Sequence, residues 1–325
     1  MNTLHLGCDA DAIAQAAALL RAGRCVAFPT ETVYGLGADA TDPAAVVRIY
    51  EAKERPRFNP LIAHVPDVDA AAREGLFDEN ARRLADAFWP GPLTLVVPRA
   101  LQGGVCDVAR AGLDSVALRV PAHPVAQALL RAAARPVVAP SANRSGRVSP
   151  TRADHVAGDL DGRIAAIVDG GETRVGVEST ILACLGGDPV LLRPGGVPRE
   201  AIERLLGRRL AEAQATGDDP AAPRAPGMLA SHYAPRAGVR LDAREIFPGE
   251  AALLFGEPRP AGVDHAIAVR DLSPSRDLAE AARNLFAALR ALDESGAHTI
   301  AVAPIPRTGL GEAIADRLAR AAAPR

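Results

Sequence analysis

Short apolar segments rich in Val, Ile, Leu and Ala recur between residues 24 and 207, and most of them run into a polar loop. They are too short for ordinary helices, and their composition is typical of buried strands. Helical segments separate some of these strands, whereas other strands follow each other directly. The arrangement predicts an α/β fold built on a twisted, open sheet of mixed strand direction rather than a strict βαβ repeat.

The start of one helix is well marked. Asp42 is followed by Pro43, and aspartate caps free N–H groups while proline fits the first helical turn. This helix must end before Pro56, so Lys53 lies in or just after its last turn. Other helices are predicted at residues 11–22, 124–134 and 198–206. Strands are predicted at residues 24–30, 61–65, 93–97, 116–120, 137–139, 164–168, 179–183 and 190–192.

The succession of predicted strands and helices stops near residue 208. A segment rich in Ala, Gly, Asp and Pro follows, which is the composition of a linker. The succession resumes with strands at 251–255, 266–269 and 299–303 and helices at 277–292 and 311–322. We therefore predict a first domain over residues 1–207, a linker over 208–236, and a smaller, Rossmann-like α/β domain over 237–325. Few polar groups converge in the second domain, so we expect a supporting or regulatory role for it.

The charges of the chain are nearly balanced, with 37 Lys and Arg against 39 Asp and Glu in 325 residues. This balance disfavours a broad basic face for a polyanion, so phosphate chemistry needs a focused site. No apolar segment approaches the length of about 20 residues that crosses a bilayer, and no secretory leader is evident, so we expect a cytoplasmic protein without a membrane partner. The four cysteines form no CxxC pair and are expected to be reduced.

Lys53 is the only lysine among the 37 basic residues. Lysine carries a compact ammonium, whereas arginine carries a planar fork of donors, so the two are not interchangeable. One explanation is that only an ammonium works at position 53. The other is chance, with Lys53 merely placing a cation at a helix C-terminus, where the helix dipole favours it.

The common nucleotide-binding and hydrolase motifs are missing from the sequence. No GxxxxGK segment forms a P-loop, and the pair Gly35 and Gly37 lacks the third glycine of a dinucleotide-binding turn. Neither HExxH nor GxSxG occurs. A familiar hydrolase is therefore disfavoured.

Polar side chains gather instead in loops next to the predicted strands, where open α/β sheets bind ligands. The basic ones are Lys53, Arg55, Arg119 and Arg193, and hydroxyls and glycines accompany them. Such a set suits the positioning and charge neutralisation of a triphosphate. Each residue alone also has a structural explanation, as a cap, a turn former or, for His64, an ordinary strand residue.

Taken together, these segments resemble the YrdC/Sua5 family of L-threonylcarbamoyladenylate synthases. The resemblance covers most of residues 5–207. It rests on PTETVYGLG from Pro29, KERPRFNPL from Lys53, WPGPLT from Trp89, RVP from Arg119, PSANRSG from Pro140, VEST from Val177 and LRPGG from Leu192. The segment APGMLASHYAP at residues 225–235 is similar to the linker of the two-domain Sua5 type rather than to the one-domain YrdC type.

The resemblance implies that L-threonine, bicarbonate and ATP give threonylcarbamoyl-AMP, pyrophosphate and water, with Mg²⁺ accompanying ATP. The amine of threonine would capture bicarbonate as a carbamate, and a carbamate oxygen would attack the α-phosphorus. This reaction begins the synthesis of N6-threonylcarbamoyladenosine on tRNA. A downstream complex that transfers the threonylcarbamoyl group to tRNA is the implied partner.

The resemblance also implies roles for individual residues. Lys53 and Arg55 would be the catalytic cations at the phosphates. Further ATP contacts would come from Asn59, Ser115, Ser141, Asn143, Ser149, Arg193 and Tyr233. Threonine would be held by Thr32, His64, Arg119 and Ser179, with the Arg119 guanidinium on its carboxylate. His232 and Tyr233 would form a lid, although Leu229, Ala230 and Ser231 stand where some relatives carry lysine, tyrosine and arginine.

Two other functions compete with the synthase. The first is an RNA-binding module of the same fold, whose basic concavity grips an RNA backbone; weak RNA binding is also compatible with the synthase. The second is a carbamoyl-transfer enzyme, which is disfavoured because the sequence lacks an acylphosphatase segment and paired-cysteine zinc fingers.

Overall fold

A computed structural model of the chain describes residues 2–56, 59–212 and 232–324. Within these residues the strands form two sheets, one of eleven strands and one of four. The strands of the larger sheet lie between residues 4 and 212, and those of the smaller sheet lie between residues 238 and 302. The α/β fold with a second, smaller α/β unit is therefore confirmed. The division at 1–207, 208–236 and 237–325 stays a prediction.

The large sheet mixes parallel and antiparallel neighbours. Its described strands are β1 (Leu4–Leu6), β2 (Val26–Pro29), β3 (Tyr34–Asp39), β4 (Ile62–His64), β5 (Leu93–Pro98), β6 (Ser115–Arg119), β7 (Val137–Val138), β8 (Ala166–Val168), β9 (Thr180–Ala183), β10 (Val190–Arg193) and β11 (Ala211–Glu212). They lie side by side in the order β1-β8-β2-β3-β7-β4-β6-β5-β9-β10-β11. At its centre β4 runs parallel to β6 and antiparallel to β7, so the predicted mixed direction is confirmed.

Helices cover this sheet, and aspartates begin several of them. The helices described before residue 212 are α1 (Ala10–Arg21), α2 (Pro43–Lys53), α3 (Val68–Glu74), α4 (Glu79–Phe88), α5 (Asp107–Arg110), α6 (Pro124–Ala133), α7 (Ala153–Leu160) and α8 (Arg199–Leu206). As predicted, Asp42 caps α2 and its carboxylate accepts the N–H of Ala44. The helix ends at Lys53 because Glu54 adopts a left-handed conformation with φ of 54°. The chain thus leaves the helix just before Arg55.

The second sheet is wholly parallel. Its strands are β12 (Gly238–Arg240), β13 (Ala251–Leu254), β14 (Val269–Asp271) and β15 (Thr299–Val302), in the order β12-β15-β13-β14. Two helices, α9 (Leu278–Asp293) and α10 (Leu310–Ala322), follow β14 and β15. Leu253, Phe286 and Ile314 are among the buried residues that join this sheet to its helices. The predicted Rossmann-like character is therefore borne out as a parallel α/β sheet.

The local structure differs from the prediction at several places. No strand was predicted over residues 31–60, but Tyr34–Asp39 form β3. The strand contains two glycines, which are uncommon in strands, so the sequence does not indicate it. Packing requires Gly37, because a Cβ there would lie 2.7 Å from the Phe28 ring. The predicted linker contains β11 next to β10, and the strand predicted at 266–269 begins only at Val269.

The rest of the predicted linker, residues 213–231, lies outside the described residues, and with it Leu229, Ala230 and Ser231. The cysteines are all free, as expected, with Cys25 and Cys184 buried and Cys8 exposed. Among the helices that the structure describes, none combines the length and the apolar character of a transmembrane span.

Candidate active site

A cavity lies against one face of the large sheet. Alternate residues of a strand share a face, so Ile62 and His64 of β4 point the same way, and their partners Ala117 and Arg119 of β6 lie beside them. The cavity is lined by Thr32, Val33, Arg55, Leu61, Ile62, His64, Arg119, Ala139, Pro140, Ser141, Glu178, Ser179, Arg193, His232 and Tyr233. The predicted placement at strand ends is therefore incomplete, because the cavity also extends along the face of β4.

Arg55 is a half-buried residue, and two nitrogens of its guanidinium have no hydrogen-bonding partner among the described residues. Its Nε and Nη2 atoms are inaccessible to solvent and contact no acceptor among the described residues. Burial lowers the pKa of Arg55 to about 10, so the guanidinium stays charged at neutral pH. A buried charge without a partner is costly, and an anion in the cavity would relieve that cost.

Lys53 is buried beneath the cavity rather than exposed to it. Its side chain is 1% exposed, and Nζ donates to the backbone carbonyls of Ser141 and Asn143. Burial, and then the charge of Arg55, hold the pKa of Lys53 well below its ordinary value. In this conformation Lys53 fixes the loop after β7, whose Ser141 lines the cavity, and its Nζ does not reach the cavity itself.

Arg193 forms a second cationic part of the wall. Its Nε and Nη2 atoms lie 3.1 and 2.8 Å from the carbonyl oxygen of Ser179, and Nη2 also lies 3.2 Å from the Ser179 hydroxyl. That hydroxyl is 2.7 Å from the hydroxyl of Thr94. The close approach depends on Gly195, where a Cβ would come within 2.3 Å of the Glu178 carbonyl oxygen. Arg193 and Ser179 therefore lie together in a fixed geometry.

Arg119 is paired with a carboxylate. Its Nη2 lies 2.6 Å from Oε1 of Glu31, and Oε2 of Glu31 accepts the N–H of Ala122 at 3.0 Å. Burial, and then the Arg119 charge, lower the pKa of the neighbouring His64 to about 3. The imidazole of His64 is thus neutral at physiological pH. Thr32 completes this part of the cavity, with its hydroxyl 2.8 Å from that of Thr30.

Glu178 is a carboxylate in the wall of the cavity. Its Oε1 accepts the Ser149 hydroxyl at 2.6 Å, and its Oε2 accepts Nε of Arg317 at 2.7 Å. Burial alone would raise the pKa of Glu178, but Arg317 and Arg193 outweigh it and lower the pKa below its ordinary value. Glu178 is therefore ionised.

His232 and Tyr233 line the cavity from the start of the second unit, and their role as a lid stays a prediction. Their rings meet edge to face with centroids 4.0 Å apart, and the Tyr233 ring stacks on Phe286 of α9 at 5.6 Å. Burial, followed by Arg55 and Lys53, holds the pKa of His232 well below its ordinary value. This end of the predicted lid is thus packed against the C-terminal unit.

Several predicted residues do not line the cavity. Ser115 begins β6, on the same face as Arg119 but at the other end of the strand. The Asn143 amide donates to the carbonyls of Arg144 and Arg147, and Ser149 is engaged by Glu178. Asn59 is buried, and neither polar atom of its side chain has a partner in the described ranges.

Three residues of the site were not predicted. Glu31 and Glu178 lie within the segments PTETVYGLG and VEST, whose acidic members could have been selected for their position between hydroxyl residues. Arg317 gives no signal in the sequence, because it belongs to an ordinary amphipathic helix 139 residues from Glu178. Only the folded chain brings it to Glu178 in the wall of the cavity.

The fold and the cavity define a two-domain α/β enzyme with a cationic site for small molecules. Residues 18–195 match the Sua5, YciO and YrdC family model described as telomere recombination, and residues 197–323 match the C-terminal domain model of threonylcarbamoyl-AMP synthase. The chain belongs to the two-domain Sua5 family of threonylcarbamoyl-AMP synthases. The family predicted from the sequence is thus confirmed.

Individual relatives are similar over nearly the whole chain. A threonylcarbamoyl-AMP synthase of Bacillus subtilis is 46% identical, covering 96% of this chain and 93% of the relative. One of Pyrococcus abyssi is 45% identical, covering 94% and 92%. The crystal structure of P. abyssi Sua5 complexed with L-threonine has a TM-score of 0.88 at 40% identity, covering 99% of this chain and 98% of that one.

Proposed function

We propose that the cavity is the site at which L-threonine, bicarbonate and ATP are converted to threonylcarbamoyl-AMP, pyrophosphate and water. The observation that carries the proposal is the buried guanidinium of Arg55, whose Nε and Nη2 lack partners among the described residues. Since Arg193 adds a second cation to the same wall, a polyphosphate is the ligand whose charge fits best.

The chemistry proceeds in two steps. The amine of threonine, after losing a proton, attacks the carbon of bicarbonate, and water leaves to give a carbamate. An oxygen of the carbamate then attacks the α-phosphorus of ATP and pyrophosphate leaves with the electrons of the broken P–O bond. Both partners of the second step are anions, so cations held in a buried site lower its barrier by reducing their repulsion. Arg55 and Arg193 are placed to serve this purpose.

Threonine binding is proposed at the other part of the cavity. Arg119 retains N–H donors beyond those that contact Glu31 and the Gly91 carbonyl, and these can donate to the carboxylate of the amino acid. The Glu31 carboxylate balances that arginine, and a neutral His64 adds no further charge. The threonine complex of the similar P. abyssi protein supports an amino-acid site in this fold.

Mg²⁺ is expected to arrive on the triphosphate. No group of three or more His, Cys, Asp or Glu residues that could hold a metal occurs in the part of the chain that the structure describes. Glu178, a carboxylate in the cavity wall, is already engaged by Arg317. The donor set therefore does not fit a resident ion, and Mg²⁺ commonly keeps most of its water and binds through substrate phosphates.

The test is pyrophosphate release by the purified full-length chain with ATP, L-threonine, bicarbonate and Mg²⁺ in the absence of RNA. We expect release that stops when threonine or bicarbonate is left out. A protein that binds RNA tightly but shows no threonine-dependent release would contradict the synthase and favour the RNA-binding module. Transfer of the product to tRNA by a separate complex, and a cytoplasmic location, remain predictions from the resemblance and the sequence.

A further inference from the structure

A side chain of the C-terminal unit contacts the wall of the cavity from behind. Arg317 lies on α10 and is 0% exposed, among the largest side chains buried in the described structure. Its Nε donates to Glu178 at 2.7 Å, and its Nη1 donates to the Pro194 carbonyl at 3.0 Å and to the Asp316 carboxylate at 2.6 Å. A guanidinium of the second unit thus reaches a carboxylate of the first.

Glu178 would oppose the proposed substrate if it stood alone. Its carboxylate lines the cavity beside Arg193, where a triphosphate would bring several negative charges. Like charges repel strongly where water is excluded. The Ser149 hydroxyl donates to Glu178 but carries no charge of its own, so it cannot cancel this repulsion.

We propose that Arg317 is a positioning residue that neutralises Glu178 and so keeps the wall of the cavity fit for a polyphosphate. The inference rests on the proposed function, because it assumes that ATP occupies this cavity. It gives the C-terminal unit a definite task, namely to supply the guanidinium that hydrogen-bonds Glu178, so that Arg193 remains available to the substrate.

Arg317 could alternatively act only through packing. Its guanidinium carbon lies 5.2 Å from the centre of the Tyr233 ring, so it also supports the predicted lid. The two roles predict different results when the charge of Glu178 is removed. If packing is the whole role, removing the charge of Glu178 will not compensate for the loss of Arg317; if neutralisation is the role, it will.

The experiment compares wild type with Arg317→Met, Glu178→Gln and the double variant Glu178→Gln/Arg317→Met. Arg307→Met is the control, because Arg307 belongs to the same unit and its guanidinium forms an exposed pair with Asp242. ATP binding is measured by calorimetry, and pyrophosphate release is measured separately on the same proteins. The KM for ATP and kcat are compared with the KM for threonine.

We expect Arg317→Met to weaken ATP binding by about tenfold or more, because it leaves a buried charge unpaired. The double variant should recover binding to within about threefold of wild type, and Arg307→Met should change it by less than about twofold. A double variant as weak as Arg317→Met, or an Arg317→Met protein that binds like wild type, would overturn the inference.

Folding and function are kept apart in this design. If Arg317→Met does not fold, the inference is tested with the double variant, because glutamine at position 178 needs no counter-charge. A double variant that fails to fold or to bind ATP would also overturn the inference. Wild type that binds ATP without threonine-dependent pyrophosphate release would refute the proposed function but leave the binding comparison decisive for Arg317. Wild type that does not bind ATP would refute both.

Discussion

The cavity contains two chemically different regions. The cationic region consists of Arg55 and Arg193, whose described contacts include no carboxylate: Arg55 has two unpartnered nitrogens, and Arg193 donates to uncharged oxygens of Ser179. The paired region consists of Glu31, Arg119 and His64, where the arginine has a carboxylate and the histidine is neutral. One region thus carries surplus positive charge, and the other is balanced.

This difference matches the two proposed substrates. Surplus positive charge favours a polyphosphate, whereas a balanced pair favours a zwitterion whose carboxylate and amine each find an opposite charge. The two regions differ in what their arginines contact: Arg119 hydrogen-bonds a carboxylate, whereas the described hydrogen bonds of Arg193 go to uncharged oxygens. The difference can be tested by changing each region alone.

The largest effect is expected from Arg55→Ala. Removing this cation should lower kcat/KM by about 100-fold or more, because the substrate charge then develops in a buried site without its counter-charge. Steady-state pyrophosphate release would measure it. Arg259→Ala, at an exposed arginine paired with Glu257, is the control and should stay within about twofold of wild type. An Arg55→Ala enzyme with normal ATP kinetics would remove the basis for a cationic region.

Arg119→Ala should affect threonine rather than ATP. We expect the KM for threonine to rise about 10- to 100-fold, since the carboxylate loses its partner and Glu31 is left unpaired in a buried place. Adding Glu31→Gln should restore part of the loss, because the amide oxygen can still accept the N–H of Ala122. Equal increases in the KM values for ATP and threonine would mean that the two regions are not distinct.

Lys53→Ala should reveal a structural role of this side chain in addition to the catalytic role predicted from the sequence. From the sequence we expect it to abolish turnover with the fold intact, but the contacts of Nζ with two buried carbonyls indicate a cost in stability as well. The free energy of unfolding should fall by about 1–3 kcal/mol. Urea unfolding measures the loss, and Arg48→Ala on the same helix serves as the comparison. No change in stability would contradict the structural role.

His64 makes stability depend on pH. Its pKa is lowered from 6.5 to about 3 in the folded protein, so between these values the unfolded chain binds a proton that the folded chain does not. Stability should therefore fall with decreasing pH, by about 2 kcal/mol from this residue between pH 7 and 5. His64→Gln should remove that part of the slope in urea unfolding measured at each pH. An unchanged slope would show that the imidazole is not held neutral by its surroundings.

Much of the fold was predictable because local signals agree with it. The cap at Asp42 and Pro43 correctly marked the start of α2, and short apolar segments marked most strands. The strand β3 was missed because Gly35 and Gly37 resemble a loop in the sequence, although close packing against β2 and β7 is what requires the second glycine. Glycine signals either a turn or a close approach, and the neighbours in space decide which.

The site was less predictable than the fold. The family segments supplied residues such as Arg55, Arg119 and Arg193, which the structure brings to one cavity. The segments could not show that Lys53 faces backbone carbonyls, nor that Glu178 meets Arg317, because both depend on contacts between distant parts of the chain. Their roles in catalysis remain predictions that the variants above can test.

Lys53 shows how a folded site restrains the composition of a chain. Arginine occupies every other Lys or Arg position, yet the end of α2 offers two carbonyl acceptors to a side chain that is 1% exposed. A guanidinium would bring five N–H donors to that space, and most of them would stay unsatisfied. The number of acceptors at this position therefore suits an ammonium better than a guanidinium.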